Sequence, residues 1–307
     1  MSIDSPIVNI GRNLHMVNSS ILDSKNLKEI ASMGNFHVLE HERDLSVSAY
    51  SATDYYFASQ MNVRKKQVML DFNNSSYIVQ AGAMQWMSGN VTTSSNVKGV
   101  GDFFGKMVSS AVTNESAIKP IYQGTGRMML EPTYRHILLV DVSQWGTIVM
   151  DDGLFLACDA SLTQRTVARK NISSAVLGGE GLFNLSLSGN GIAALESYVP
   201  YEELIEVVLD NDVMKIDGNM AIAWSGSLDF TVEKSGKSLI GSAVSGEGLV
   251  NVYRGSGKIL LAPTASNFSA NPIDSSSNTG ESQSKTNAGS AAGKAFGALT
   301  GVLDALS

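Results

Sequence analysis

Polar and apolar residues alternate over residues 184–188, with Leu185 and Leu187 on one side and Asn184, Ser186 and Ser188 on the other. That two-residue period marks a half-buried β-strand. Short apolar runs at Gln67-Val68-Met69-Leu70, Ile137-Leu138-Leu139-Val140 and Leu204-Ile205-Glu206-Val207-Val208-Leu209 read as further strands. Asp152-Gly153 and Asp217-Gly218 predict tight hairpins, because a type I′ turn needs a positive φ that glycine adopts without a Cβ clash. Several short strands and little helix predict an all-β chain. Two stretches depart from this pattern. Leu27, Ile30 and Ala31, between Asp23-Ser24 and Gly34, predict a short capped helix, with Phe36 through Met61 extended after it. Phe103, Phe104, Met107 and Val108 share one helical face behind Asp102. That face reads as a cover for a sheet edge, with an apolar contact for a partner or a membrane surface as the alternative.

The strand-like segments fall into a repeat. Gly124-Thr125-Gly126, Gly189-Asn190-Gly191 and Gly255-Ser256-Gly257 are spaced by 65 and 66 residues. A glutamate precedes each pair, at Glu115, Glu180 and Glu247. A third anchor precedes the other two in each unit: Gln80-Ala81-Gly82-Ala83-Met84, Asp151-Asp152-Gly153-Leu154-Phe155 and Ile216-Asp217-Gly218-Asn219-Met220. Self-similarity at a fixed period means one structural unit used several times. The units run over about 67–135, 136–203 and 204–264, after an N-terminal extension (1–66, short helix plus strands) and before a segment at 265–307. A domain near 60 residues buries only about 60% of its unfolded surface, so the units are expected to pack on one another.

Composition narrows the function. The 307-residue chain carries a net charge of −7 and no basic block longer than Arg64-Lys65-Lys66, so no nucleic-acid partner is expected. Cys158 is the lone cysteine; it excludes an internal disulfide, fits a reducing compartment, and reads as a buried inert thiol within Leu154-Phe155-Leu156-Ala157-Cys158. Without a signal-like N-terminus or an apolar run of 18 residues, a cytoplasmic location is expected. Residues 267–289 read as a Ser/Asn/Gly-rich linker, and Gly289, Gly293, Gly297 and Gly301 recur beside Ala292, Phe296, Leu299, Val302 and Leu306. Small residues at that spacing suit close helix packing, but each interior glycine costs about 1 kcal/mol, so an isolated helix should not hold: the segment is either a flexible, disordered tail or a helix that forms only on docking.

Candidate chemistry is sparse. Glu180, Glu247 and Glu115 read first as carboxylates tying strand ends through backbone N–H groups; the alternative is a shared ligand or cation at the unit interfaces. His37-Val38-Leu39-Glu40-His41 matches the His-x-x-Glu-His zinc signature. That chemistry needs a helix, so that His37 and His41 face one metal while Glu40 activates water, and the flanking pattern favours a strand. Ser235-Gly236-Lys237-Ser238 lacks the earlier glycine of a phosphate loop, and Gly189–Ala194 is not followed by a helix. Trp86 and Trp224 read as core or interface aromatics before pocket walls, and His15 and His136 as surface or capping residues. No cofactor is predicted.

The segments Gln80-Ala81-Gly82-Ala83-Met84, Gly178–Phe183, Leu187–Gly191 and Ser245–Leu249 resemble the family of altered inheritance of mitochondria protein 24, also called domain of unknown function 124. The resemblance covers roughly 67–264 and departs in the first unit, where Asn114-Glu115-Ser116 replaces Gly-Glu-Gly. It implies an architecture similar to the tryptophan RNA-binding attenuation protein (double-stranded β-helix-like), with three related β units about a pseudo-threefold axis. It also implies homotrimers among bacterial members, a link to inner-membrane organisation among mitochondrial ones, and no catalytic residues to carry over. Likeness of fold to an RNA-binding protein licenses no RNA-binding expectation. The reading is a non-enzymatic oligomeric scaffold, a trimer by preference, with Phe103–Val108 or the C-terminal segment as contacts for a protein or membrane. The alternatives are a small-molecule binder with a pocket on the pseudo-threefold axis and a zinc hydrolase built on His37, Glu40 and His41.

Overall fold

The structure is a computed structural model that describes residues 24–94, 119–151, 153–168, 183–217, 220–234 and 249–264. Its first strands are β1 (Leu27–Met33), β2 (Phe36–His41), β3 (Lys66–Val79), β4 (Met84–Ser94) and β5 (Ile121–Leu130). Next come β6 (His136–Asp141), β7 (Thr147–Met150), β8 (Phe155–Asp159), β9 (Thr163–Ala168), β10 (Phe183–Ser188) and β11 (Ile192–Ser197). The last are β12 (Ile205–Asp217), β13 (Ala221–Ser225), β14 (Asp229–Lys234) and β15 (Leu249–Leu261). One α-helix, α1 (Ala52–Gln60), lies among the described residues. The protein is mostly β, in two strongly curled, barrel-like sheets.

Pairing is antiparallel throughout. In the first sheet β5 lies between β3 and β4. The strands β11 and β10 lie between β6–β7 on one side and β8–β9 on the other. In the second sheet β15 lies between β12 and the pair β13–β14. These three sets are stitched edge to edge at two joints, β3 to β8 and β7 to β13.

Two local predictions are corrected. Residues 27–33 form the strand β1, not a helix: Gly34, at φ +56°, closes a tight turn that lays β1 on β2, with Met33 opposite Phe36. Cross-strand pairing with β2 outweighs the helical spacing of Leu27, Ile30 and Ala31. Residues 52–60, expected to be extended, form α1; none of its side chains is buried, so no apolar stripe marked it. Because β2 also pairs with β3, residues 36–40 extend the first sheet.

The long strands bend at the glycine pairs. Opposite each bend in β3 and β12 stands an asparagine in the left-handed region, Asn74 at φ +52° and Asn211 at +51°. Asparagine tolerates that backbone better than other side chains. The Asn74 N–H donates to the Thr125 hydroxyl at 3.2 Å and the Asn211 N–H to the Ser256 hydroxyl at 2.8 Å. The middle residue of the Gly-x-Gly pair therefore satisfies a backbone donor that the bulge removes from the ladder.

Alternate strand residues fill four apolar clusters. The largest joins both sheets through Ile148, Met150, Phe155, Leu187, Ile222 and Leu260. In a second, Tyr77 is fully buried between Phe36 and Phe72, edge-on to both at 5.2 and 4.8 Å. Its hydroxyl donates to the Asp71 carbonyl and accepts from Asn35, so the ring is buried without an unmet polar group. The half-buried reading of β10 is corrected as well. Asn184 and Ser186 are buried like Leu187, because Asn184 Nδ2 donates to the Met150 carbonyl and Ser186 Oγ to that of Arg165, each at 3.0 Å. A buried polar face is tolerated when its groups are paired.

Candidate functional site

The joint between β3 and β8 creates a cleft. The chain leaves β3 with the Gln80 N–H bonded to the Leu156 carbonyl at 2.8 Å, and turns at once, Ala83 N–H to Gln80 carbonyl at 3.0 Å. Gly82, at φ +83°, permits that turn. Two carboxylates stand beside it. The Glu131 N–H is fixed on the Ala83 carbonyl and the Glu196 N–H on the Leu154 carbonyl, both at 2.7 Å. With Thr133, Phe155 and Leu156 they line a cleft of about 360 Å³. Glu131 is exposed and Glu196 half-buried. Burial pushes the Glu196 carboxyl above the usual range, against the pull of nearby Arg135 and a hydrogen bond from Thr133. Close by, the buried Lys119 holds its ammonium 4.6 Å over the Phe155 ring and 3.5 Å from Gln80 Oε1.

A second polar cluster spans β1, β2, β3 and β5. His37 Nδ1 lies 3.0 Å from Glu29 and Nε2 3.5 Å from Asp71, whose other oxygen accepts from Arg127 Nε at 2.7 Å. The Asp71 hydrogen bond, with help from Glu29, raises the imidazole above its ordinary 6.5 despite burial. Below it Glu40, almost buried, accepts from Arg64 at 3.2 Å and Lys66 at 3.3 Å. Burial lowers Lys66, and Glu40 opposes that shift.

The candidate residues scatter. Glu115, Glu180 and Glu247 lie outside the described residues, as do Phe103–Val108, His15, Ser235–Ser238 and the segment from 265 onward. His37, Glu40 and His41 lie on strand β2, not on a helix, and each has its own partner; His41 Nε2 is 3.0 Å from Gln67 Oε1. No group of three potential metal ligands occurs among the described residues. Cys158 is buried, its thiol pushed up to about 12 by desolvation, which makes it a poor nucleophile. Trp224 is buried against Phe230 and Tyr253, while Trp86 is half-buried over Met69 and Met129. His136 is half-buried beside Lys66 rather than a plain surface group. The cleft carboxylates escaped the sequence reading, although Glu131 and Glu196 are 65 residues apart, the step of the glycine pairs.

A family model described as mitochondrial biogenesis AIM24 matches residues 60–264. The chain belongs to this AIM24 family. The cleft and both joints fall inside the matched span. An uncharacterized protein of Streptococcus pyogenes serotype M6 is 31% identical over 203 residues, covering 64% of this chain and 79% of its own. The crystal structure of another S. pyogenes protein shares 27% identity, covers 66% of this chain and 90% of its own, and superposes with a TM-score of 0.49. Among the described residues of this AIM24-family chain, no helix is long and apolar enough to cross a membrane.

Proposed function

We propose that this chain is a non-enzymatic, self-associating β scaffold made of three related units. The observation that carries the reading is the open edge of β12. This 13-residue strand pairs, among the described residues, only with β15, and it exposes Ile205, Val208 and Val213 by 52, 65 and 50%. A long edge with exposed apolar side chains invites another strand, and monomeric proteins avoid it.

Support for three units comes from bonds that recur in step. The residues two before the first glycine, Tyr122, Leu187 and Tyr253, face Tyr77, Ile148 and Met214. Those five after it, Met129, Ala194 and Leu260, face Trp86, Ala157 and Ala223. The return bonds follow suit: Glu131 N–H to Ala83, Glu196 N–H to Leu154, and Ala262 N–H to Met220. A trimer is the favoured assembly, in the cytoplasm, with residues 103–108 or 265–307 as contacts for a protein or membrane.

Light scattering on purified chain tests the reading. A mass three times 32.6 kDa is expected, and a stable monomer at tens of micromolar chain would overturn it. The cleft at Glu131 and Glu196 favours a second reading, a small-molecule binder. Retention of a small amine by the wild type in native mass spectrometry, lost in Glu196→Gln, would support it.

A further inference from the structure

The two joints share one register. At the first, Tyr77, Ile78 and Val79 face Asp159, Cys158 and Ala157, and the flanking Gln80 N–H bonds the Leu156 carbonyl. At the second, Ile148, Val149 and Met150 face Ser225, Trp224 and Ala223, and the Asp151 N–H bonds the Ile222 carbonyl. Placed by the residues they face on the glycine strands, these are equivalent positions: Tyr77 and Ile148 each face the residue two before the first glycine, and Ala157 and Ala223 each face the residue five after it. In each case the closing half of one unit's first strand joins the opening of the next unit's second strand.

The same rule applied once more pairs Met214, Lys215 and Ile216 of β12 with Ser88, Met87 and Trp86 of β4, and aims the Asp217 N–H at the Gln85 carbonyl. That third joint is open among the described residues. Among the described residues β4 pairs only with β5 and β12 only with β15, and they belong to different sheets. Both edges reach solvent: Met87 is 41% exposed and Val213 50%. We propose that the third joint forms between copies, β12 of one chain adding antiparallel to β4 of the next in this register.

The proposal rests on the three-unit, self-associating reading and names its contact. Two different edges meet, so the contact is head-to-tail, and such contacts close into rings where the rotation allows. A closed ring leaves no strand edge of this class open. Asp210, Asp212, Lys215 and Asp217 line the strand, and charges on an edge discourage indiscriminate pairing. Lys215 suits a partner whose opposing residue is the apolar Met87, since its stem can cover that side chain while the ammonium stays wet.

Cross-linking tests the register. Lys215→Cys and Met87→Cys are made on separate chains carrying tags of different size, with the buried Cys158 left in place. Directly opposed residues in an antiparallel ladder have Cα atoms about 4.5–5.5 Å apart, within disulfide range. Mixing and mild oxidation should give a band holding both tags, absent when either variant is oxidised alone. A disulfide within one chain of the double variant would overturn the proposal by closing the joint internally. An oligomer by light scattering that never cross-links would overturn the register but leave self-association standing; a monomer that never cross-links would sink both. By the alternation of the ladder, the Lys215 N–H points to the open edge, so Lys215→Pro removes an intermolecular bond and spares those to β15. Its circular dichroism should match the wild type while its mass falls to 32.6 kDa, and an undiminished oligomer would also overturn the proposal.

Discussion

At Gly124 a methyl group would sit 2.0 Å from the Asn90 carbonyl oxygen, and the backbone there is at φ +142°. At Gly82, φ +83°, the same methyl would meet nothing within 4 Å. Backbone strain alone costs about 1–2 kcal/mol, and a collision with a fixed carbonyl adds about as much again or more. Gly124→Ala should therefore lose about 3 kcal/mol or more and Gly82→Ala about 1 kcal/mol, read from chemical denaturation midpoints. Equal losses would mean that the bend in β5 relaxes around the methyl. The two histidines act at opposite ends of the pH scale. His37 is raised above 6.5, so its contribution is complete below 6.5 and fades as pH climbs through the folded-state value. His136 is pushed down to about 4 by burial and then by Lys66. Between 6.5 and about 4 the unfolded chain takes up a proton that the fold refuses, so stability falls as pH drops across that window. For this half-buried ring the loss is about 1–2 kcal/mol after solvent screening. Titrating stability against pH should show His37→Asn flattening the profile above 6.5 and His136→Gln flattening it below. If each variant runs parallel to the wild type, neither ring is linked to folding.

The segment from Glu42 to Arg64, with α1 at its centre, is held at its ends by charge. Arg64 and Lys66 both reach Glu40, Lys65 reaches Asp44, and Tyr134 donates to Asp44. Lys66 is only 3% exposed, and breaking a buried pair strands its partner at a cost of about 3–5 kcal/mol. Glu40→Ala should approach that loss and speed proteolysis within residues 42–65, while adding Lys66→Met should recover much of it by removing the stranded charge. A double variant no more stable than the single one would mean that Lys66 finds another partner, with Glu202, whose charge also acts on it, as the candidate. This element also shows what the sequence could reveal. Strands β3, β6 and β12 were legible because each carries an apolar run, and the glycine pairs because they repeat at nearly fixed steps. Helix α1 buries nothing, so no period betrayed it, and β1 has helical spacing overridden by its hairpin with β2. The asparagines at the bulges and the cleft acids stayed hidden for a different reason. Asn74 gains meaning only when Thr125, 51 residues away, is brought beside its N–H. Glu131 and Glu196 meet only because β3 joins β8.

For the whole molecule, the decisive property is the open edge of β12 beside cores that are otherwise filled. Its neighbour set shows the contrast: the first half of β3 has β2 along one edge and β5 along the other, whereas among the described residues only β15 pairs with Ile205–Leu209 and the other edge has no strand. If folding and assembly are coupled, unfolding releases separate chains, and mass action ties stability to concentration. For a trimer, each tenfold dilution removes two-thirds of RT ln 10 per chain, about 0.9 kcal/mol. A chain of this size loses roughly 2 °C of melting midpoint for that amount. Melting over a hundredfold range of concentration should thus show a downward drift of about 4 °C on dilution. Lys215→Pro should melt at one temperature throughout, because its joint is gone while the internal joints β3–β8 and β7–β13 remain. A wild-type midpoint that ignores concentration while light scattering reports a trimer would mean that each chain folds fully before it assembles. Assembly would then cover the β12 edge without contributing to the stability of the fold.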